Sequence, residues 1–294
     1  MNVKIIRIEE LKRFSVRALE SAGVSQQDAA VIADALVSAD LFGVMSHGTN
    51  NLLNYILKMQ AGGLNPKAVP AVIAEGLSWA MVDGNAAMGM VTSTMAMNLA
   101  IEKARMTGIA YVGVKNSCHF GTAGYYANLA ARAGMLGISM SNADPVIAVP
   151  NGSSKSIGTN PFSFAVPLRG GRSLFLDIAL SNVAALKVVT AKNRGEQVPE
   201  SWLVDEEGLP TRDPSGFPTR SSLQPMAAHK GYGLAVLVEI LAAVLTGSAI
   251  LSQVQSWNLD MKTPNNVGHA FIAIDIAQML PMENFAARME QLAN

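Results

Sequence analysis

At 294 residues the chain is long enough to form two packed parts, because single hydrophobic cores stop growing at roughly 250–300 residues. Half of the residues are apolar and 15% are charged, which excludes a disordered chain. Lys plus Arg and Asp plus Glu balance at 22 each with no run of like charge, so neither a nucleic acid nor a membrane surface is expected as partner.

Leu11, Phe14, Ala18 and Leu19 recur at helical spacing from the start of the chain. MNVKIIRIEELKRF itself lacks a cleavage-type signal, and the lone Cys118 excludes an internal disulfide and a thiolate metal cage, so a cytoplasmic location is expected. A second helix is announced by Ser25, with Asp28 three residues on in the manner of a capping box, and it runs out near SHGTNN, Ser46 to Asn51. The amphipathic run NNLLNYILKMQAGG puts Leu52, Leu53, Tyr55, Ile56 and Met59 around one side and stops at Gly62-Gly63.

Beyond about residue 71 short β-like runs alternate with helices: WAMVDG, helix GMVTSTMAMNLAIEKARMTG, strand IAYVGVKN, helix TAGYYANLAARAG, strand LGISMSN. A span rich in Gly, Ser and Pro follows, then the strand SLFLDIA and a loop-rich polar stretch from Arg194 to Pro225. Leu234 to Leu245 is apolar but holds Glu239 and is too short to cross a bilayer, so it reads as a buried helix. The strand HAFIAIDI and a helix from about Glu283 close the chain.

No G-x-G-x-x-G or P-loop fingerprint is present, so any nucleotide must be held in another way. The four histidines lack metal-ligand spacing, and no metal is expected. His47, between small neighbours Ser46 and Gly48, either passes a proton at neutral pH or hydrogen-bonds a turn. His119 lies at a strand-to-helix turn, where it is either catalytic or a cap. Asp144, in SNADP, either polarises an imidazole or makes a turn before Pro145. Lys230, in HKGYG at the start of the most apolar helix, combines an ammonium with free backbone N–H groups and suits a phosphate or carboxylate. His269 reads as structural, satisfying backbone groups.

Taken in order, SHG with Tyr55 downstream, GGLNP, NSCHFGTAGYYA, SNADP, IGTNPFSFAVP, LFLDIALS, HKGYGLA and VGHAFIAID resemble the malate/L-lactate dehydrogenase family, which also contains ureidoglycolate and sulfolactate dehydrogenases and cyclic-imine reductases. The resemblance covers nearly the whole chain. It implies a non-Rossmann, mixed-sheet α/β domain over 72–222, a helical unit from 1–71 and 223–294, and a homodimer. It also implies NAD- or NADP-dependent interconversion of a small 2-hydroxy acid and its 2-oxo acid. Within that reading His47 and His119 are the catalytic histidines with Asp144 near them, and Ser46, Asn51 and Tyr55 face the substrate. The cofactor falls to Gly158, Thr159, Asn160 and Pro161, to Asp177, Ile178 and Ala179, and to His229, Lys230 and Gly231.

Departures from the family pattern bear on substrate. Asn51 stands where an arginine suited to a carboxylate clamp is usual, which leaves that role to Lys58 or Lys115, or else to no cation at all. Leu180, Leu186, Ala227 and Ala228 replace a threonine and glycines and are expected to reshape the cleft. The segment from Gly247 to Asn265 reads as short and irregular, and a PGE-type segment near the cofactor follows in members of ordinary length. The alternatives to a 2-hydroxy acid dehydrogenase are a cyclic imine reductase and a non-catalytic relative that still binds a dinucleotide.

Overall fold

A computed structural model describes residues 5–293; Met1 to Lys4 of the charged start lie outside them. Helix α1 (Ile8–Ser21) is followed by α2 (Gln26–Leu41), whose Ser25 cap accepts from the Asp28 N–H at 3.1 Å while its own hydroxyl donates to the Asp28 carboxylate. Two 3₁₀ turns, Met45–His47 and Thr49–Asn51, lead into α3 (Leu52–Ala61). On α3 Tyr55 and Met59 are buried, whereas Leu53 points to solvent, being one residue round from the buried stripe.

Next come β1 (Ala71–Glu75), β2 (Trp79–Asp83), α4 (Gly89–Thr107), β3 (Ile109–Ser117), α5 (Ala123–Arg132) and β4 (Met135–Ser141). They are followed by β5 (Ile147–Ala148), β6 (Lys155–Ile157), β7 (Phe162–Pro167), β8 (Ser173–Ile178), α6 (Ala185–Arg194), β9 (Leu203–Val204), β10 (Pro210–Thr211) and β11 (Ser222–Leu223). Helix α7 (His229–Glu239) continues as a π-helical turn, Ile240–Val244, before β12 (Val267–Asp275), α8 (Ile276–Met279) and α9 (Met282–Ala293).

Seven strands form one mixed sheet in the order β1-β2-β3-β12-β4-β7-β8, in which β2 and β3 run parallel across the α4 connection and the other neighbours are antiparallel. The architecture is the mixed-sheet α/β type expected. Strand β12 sits at the centre, however, so the stretch 223–294 assigned to a helical unit contains the middle of the sheet. Val267 to Phe271 are all buried, the pattern of a strand covered on both faces.

Adjacent residues of β12 belong to different cores. Phe271 joins Leu36, Tyr55, Met97, Val112 and Tyr126 on the side of the N-terminal helices, whereas Ala270 joins Leu180, Val188, Leu223 and Val238 on the other. The sheet is therefore the middle of three layers, and the N-terminal helices share a core with it. The polar stretch from Arg194 to Pro225 is not simply loop: β9, β10 and β11 join β5 and β6 in a five-stranded sheet of very short strands. Helix α6 is likewise a helix the sequence reading passed over.

The expectation of a buried helix over Leu234 to Leu245 is corrected. Leu234, Leu237, Ile240 and Val244 are exposed, while Glu239 is buried along with the smaller Ala235, Val238, Ala242 and Ala243. Its carboxylate is stabilised there by donors from Asn160 Nδ2 at 2.8 Å, Leu251 N at 2.9 Å and Asn142 Nδ2 at 3.3 Å. Among the described residues no helix is long and apolar enough to cross a membrane.

Candidate active site

The SHG turn is shaped by an acid one helix back. Asp40 of α2 accepts from the Thr49 N–H at 3.1 Å and the Thr49 hydroxyl at 2.6 Å, and a Cβ on Gly48 would lie 1.8 Å from its carboxylate, so only glycine lets the turn close. Asn51, buried, donates its amide to the Ser46 carbonyl at 2.7 Å, bracing the same turn from the other end. These contacts set His47 in place, half-buried, with Nδ1 2.9 Å from the Ser46 hydroxyl. Burial holds its pKa below the ordinary imidazole value.

His119 arrives from the end of β3. Its ring lies 5.4 Å from that of His47, centroid to centroid, and 4.3 Å from the Trp257 ring at an interplanar angle of 17°. Its Nδ1 is 2.6 Å from the Tyr55 hydroxyl, and Tyr55 in turn stacks on Trp257 at 5.3 Å. Burial first, then the neighbouring His47 and His269, hold the His119 pKa well below the ordinary value. Among the described residues neither His47 nor His119 has a recorded hydrogen-bond partner at Nε2. Trp257 escaped the sequence reading; an aromatic residue in an otherwise polar, irregular segment was its only signal.

The structure thus brings Ser46, His47, Asn51, Tyr55 and His119 together. Asp144 does not hydrogen-bond either histidine. Its carboxyl is pushed up by burial and partly drawn back by the facing Ser256, the residue before Trp257. Asp177, at the end of β8, accepts from the Gly124 N–H at 2.8 Å and so occupies the start of α5; burial raises its pKa to about 6 against that hydrogen bond. The loop Gly158 to Pro161 is stitched in place by Asn160, whose Oδ1 accepts from Ala143 N at 3.1 Å, and by Thr159 O, which accepts from Leu180 N at 2.8 Å. Ile178 and Ala179 are half-buried at the strand end.

His229 and Lys230 are exposed and make no recorded contact with the two-histidine centre. The free N–H groups expected at the start of α7 are mostly used: Lys230 N donates to Ala227 O at 3.3 Å and Gly231 N to Met226 O at 2.9 Å. The Lys230 ammonium is the main attraction left there for an anion. His269, read as structural and satisfying backbone groups, is fully buried beside the Cys118 backbone and between the Ser141 and Ser117 hydroxyls, each at 2.9 Å.

Residues 6–294 match the family described as malate/L-lactate dehydrogenase. The chain belongs to that family. It is 40% identical over 293 residues to a malate dehydrogenase of Pyrococcus abyssi, covering 97% of this chain and 80% of the relative. A sulfolactate dehydrogenase structure from Methanocaldococcus jannaschii superposes with a TM-score of 0.91 at 33% identity, over 99% of this chain and 83% of that one. A Δ1-piperideine-2-carboxylate reductase from Pseudomonas syringae gives a TM-score of 0.91 at 30% identity, over 99% and 87%. The chain is accordingly an oxidoreductase of the hydroxy acid dehydrogenase type.

Against the family pattern, neither lysine offered as a substitute for the missing arginine is free. Lys58 is fully buried, with its ammonium donating to the carbonyls of Asp260 and Thr263, and Lys115 faces Asp83 at 3.9 Å. Leu180 fills the core rather than reshaping the cleft. Ala227 and Ala228 hold φ values of 49° and 54°, and Ala228 combines this with ψ −123°, a region suited to glycine alone. Ala228→Gly is therefore expected to raise stability by about 1 kcal/mol, read as a higher melting temperature; an unchanged or lower one contradicts the strain.

Proposed function

We propose that this member of the family interconverts a small 2-hydroxy acid and its 2-oxo acid with NAD or NADP, using the paired histidines as the polar machinery. The observation that carries the reading is the approach of two half-buried imidazoles from separate elements, 5.4 Å apart, each with its Nε2 edge unpartnered among the described residues. The residues present fit a dinucleotide without a glycine fingerprint. Lys230 offers an ammonium for a phosphate, and Asp177 keeps one carboxylate oxygen beyond the Gly124 contact for a hydroxyl. When bound, that cofactor supplies or removes the hydride.

The chain's own part is the proton and the developing charge. An imidazolium at His47 gives its proton to the substrate oxygen in reduction, and neutral His47 takes it back in oxidation. Ser46 can accept from Nδ1–H in both the charged and the neutral state, which leaves Nε2 to give the proton and take it back. Trp257 covers one ring and keeps bulk water from it.

With burial holding the His47 pKa down, the base form persists as the solution turns acid. The oxidation rate is therefore expected to stay level below about pH 6.5 and fall only further down, whereas reduction slows as pH rises. An oxidation rate already falling near pH 7 would contradict this assignment. With Lys58 and Lys115 both engaged elsewhere, a weakly charged substrate is favoured and a cyclic imino acid stays as the second candidate. Nicotinamide absorbance should be followed with NADH and NADPH against pyruvate, oxaloacetate, glyoxylate and a cyclic imino acid, then in reverse with malate, lactate and ureidoglycolate. Turnover names the branch, and silence from folded protein across the panel refutes the reading. The exposed stripe Leu234, Leu237, Ile240 and Val244 supports a homodimer, which light scattering tests directly.

A further inference from the structure

Two donors converge on one nitrogen of His119. Nδ1 lies 2.6 Å from the Tyr55 hydroxyl and 3.4 Å from the Gly121 backbone nitrogen, whose N–H is aimed back at the ring by a left-handed turn at φ 79°. The second contact is long, but its direction is decisive, because a backbone N–H can only donate. A proton on Nδ1 would face that N–H head to head, so Nδ1 is the acceptor and the Tyr55 hydroxyl is the second donor. The remaining ring proton then sits on Nε2. Tyr55 is fully buried on α3, and Trp257 fixes the plane of the same imidazole, so neither donor nor ring can turn away.

We propose that Tyr55 is a positioning residue that, with the Gly121 N–H, locks His119 as the neutral Nε2–H tautomer, so that His119 donates a hydrogen bond to the reacting oxygen and His47 alone carries the proton. The division of labour rests on the function proposed above; the tautomer does not. A neutral Nε2–H imidazole steadies negative charge on an oxygen, but surrendering its proton would leave an imidazolate. His47 has no such constraint, since its recorded partner is a hydroxyl able to accept or donate. In reduction the substrate carbon receives the hydride, the His47 N–H bond breaks and the new O–H bond forms, and His119 keeps its proton throughout.

The test starts with the unaltered protein. Nitrogen-15 labelling of histidine, with long-range proton–nitrogen correlation spectra, reads the tautomer of each ring, and His119→Gln identifies the signal that disappears. His119 is expected to show a protonated Nε2 and a bare Nδ1 from ~pH 5 to ~pH 8. A protonated Nδ1, or an imidazolium anywhere in that range, overturns the proposal whether or not the chain turns over substrate. Tyr55→Phe is expected to turn the single tautomer into a mixture and to lower kcat roughly tenfold, with cofactor KM and the pH profile unmoved. An unchanged tautomer would reduce Tyr55 to packing. A shifted pH profile would make His119 the titrating group and refute the division of labour.

Discussion

His47→Ala lowers turnover by about 10²–10⁴-fold while leaving the dissociation constant for the dinucleotide nearly unchanged. The ring it removes is half-buried, bonded only to the neighbouring Ser46, and held by a turn whose braces, Asp40 to Thr49 and Asn51 to the Ser46 carbonyl, do not pass through it. The fold of the turn should therefore survive. Tyr55, Trp257 and His119 also keep their mutual contacts, so the loss is that of a proton carrier and not of the cleft. Steady-state rates with a cofactor fluorescence titration separate the two effects. A variant with full turnover would remove His47 from the chemistry, and one that no longer bound cofactor would make its role architectural.

A second large effect is acid sensitivity from His269. Burial depresses its pKa to about 3, below the ordinary imidazole value of about 6.5. The Ser141 hydroxyl points at the carbonyls of Asn142 and Gly268, at 2.8 and 3.2 Å, so its oxygen accepts from His269 Nδ1–H and Ser117 donates to Nε2. A proton added at Nε2 would have to displace the Ser117 donor and charge a fully buried ring. The unfolded chain takes up a proton as pH falls through 6.5 and the folded one does not until about 3, so the contribution is complete above 6.5 and lost on the way down. The raised Asp177, which binds its proton in the folded state at about 6, opposes this over part of the range. Comparison with His269→Asn isolates the histidine. Between about pH 6.5 and about pH 3 the unaltered protein should lose roughly 4 kcal/mol more than the variant, by denaturant titration at each pH. Parallel pH dependences would mean that the ring is protonated in the folded state.

The alternation of strands and helices was legible because each long element carries its own period, as in IAYVGVKN and GMVTSTMAMNLAIEKARMTG. Strands of two residues carry none, which is why the five-stranded sheet passed for loop. Placing β12 at the centre of the large sheet needed long-range pairing that no local pattern encodes. Within the candidate site, His47 and His119 stood out by their small neighbours. Lys58 could not be read, since a lysine in an amphipathic run looks solvated until the carbonyls that receive it are seen. Tyr55 stood out only through the family pattern, which does not reveal the contact of its hydroxyl with His119, and Trp257 belongs to a segment without any motif.

Glu239 has a reach beyond its own helix. Through Asn142, Asn160 and Leu251 one carboxylate ties together the strand end before Asp144, the loop from Gly158 to Pro161 and the segment that leads to Trp257. Those three segments cannot shift independently, so their ordering entropy is met when the chain folds. That part of the molecule is preorganised, and its rigidity has an address in one buried carboxylate.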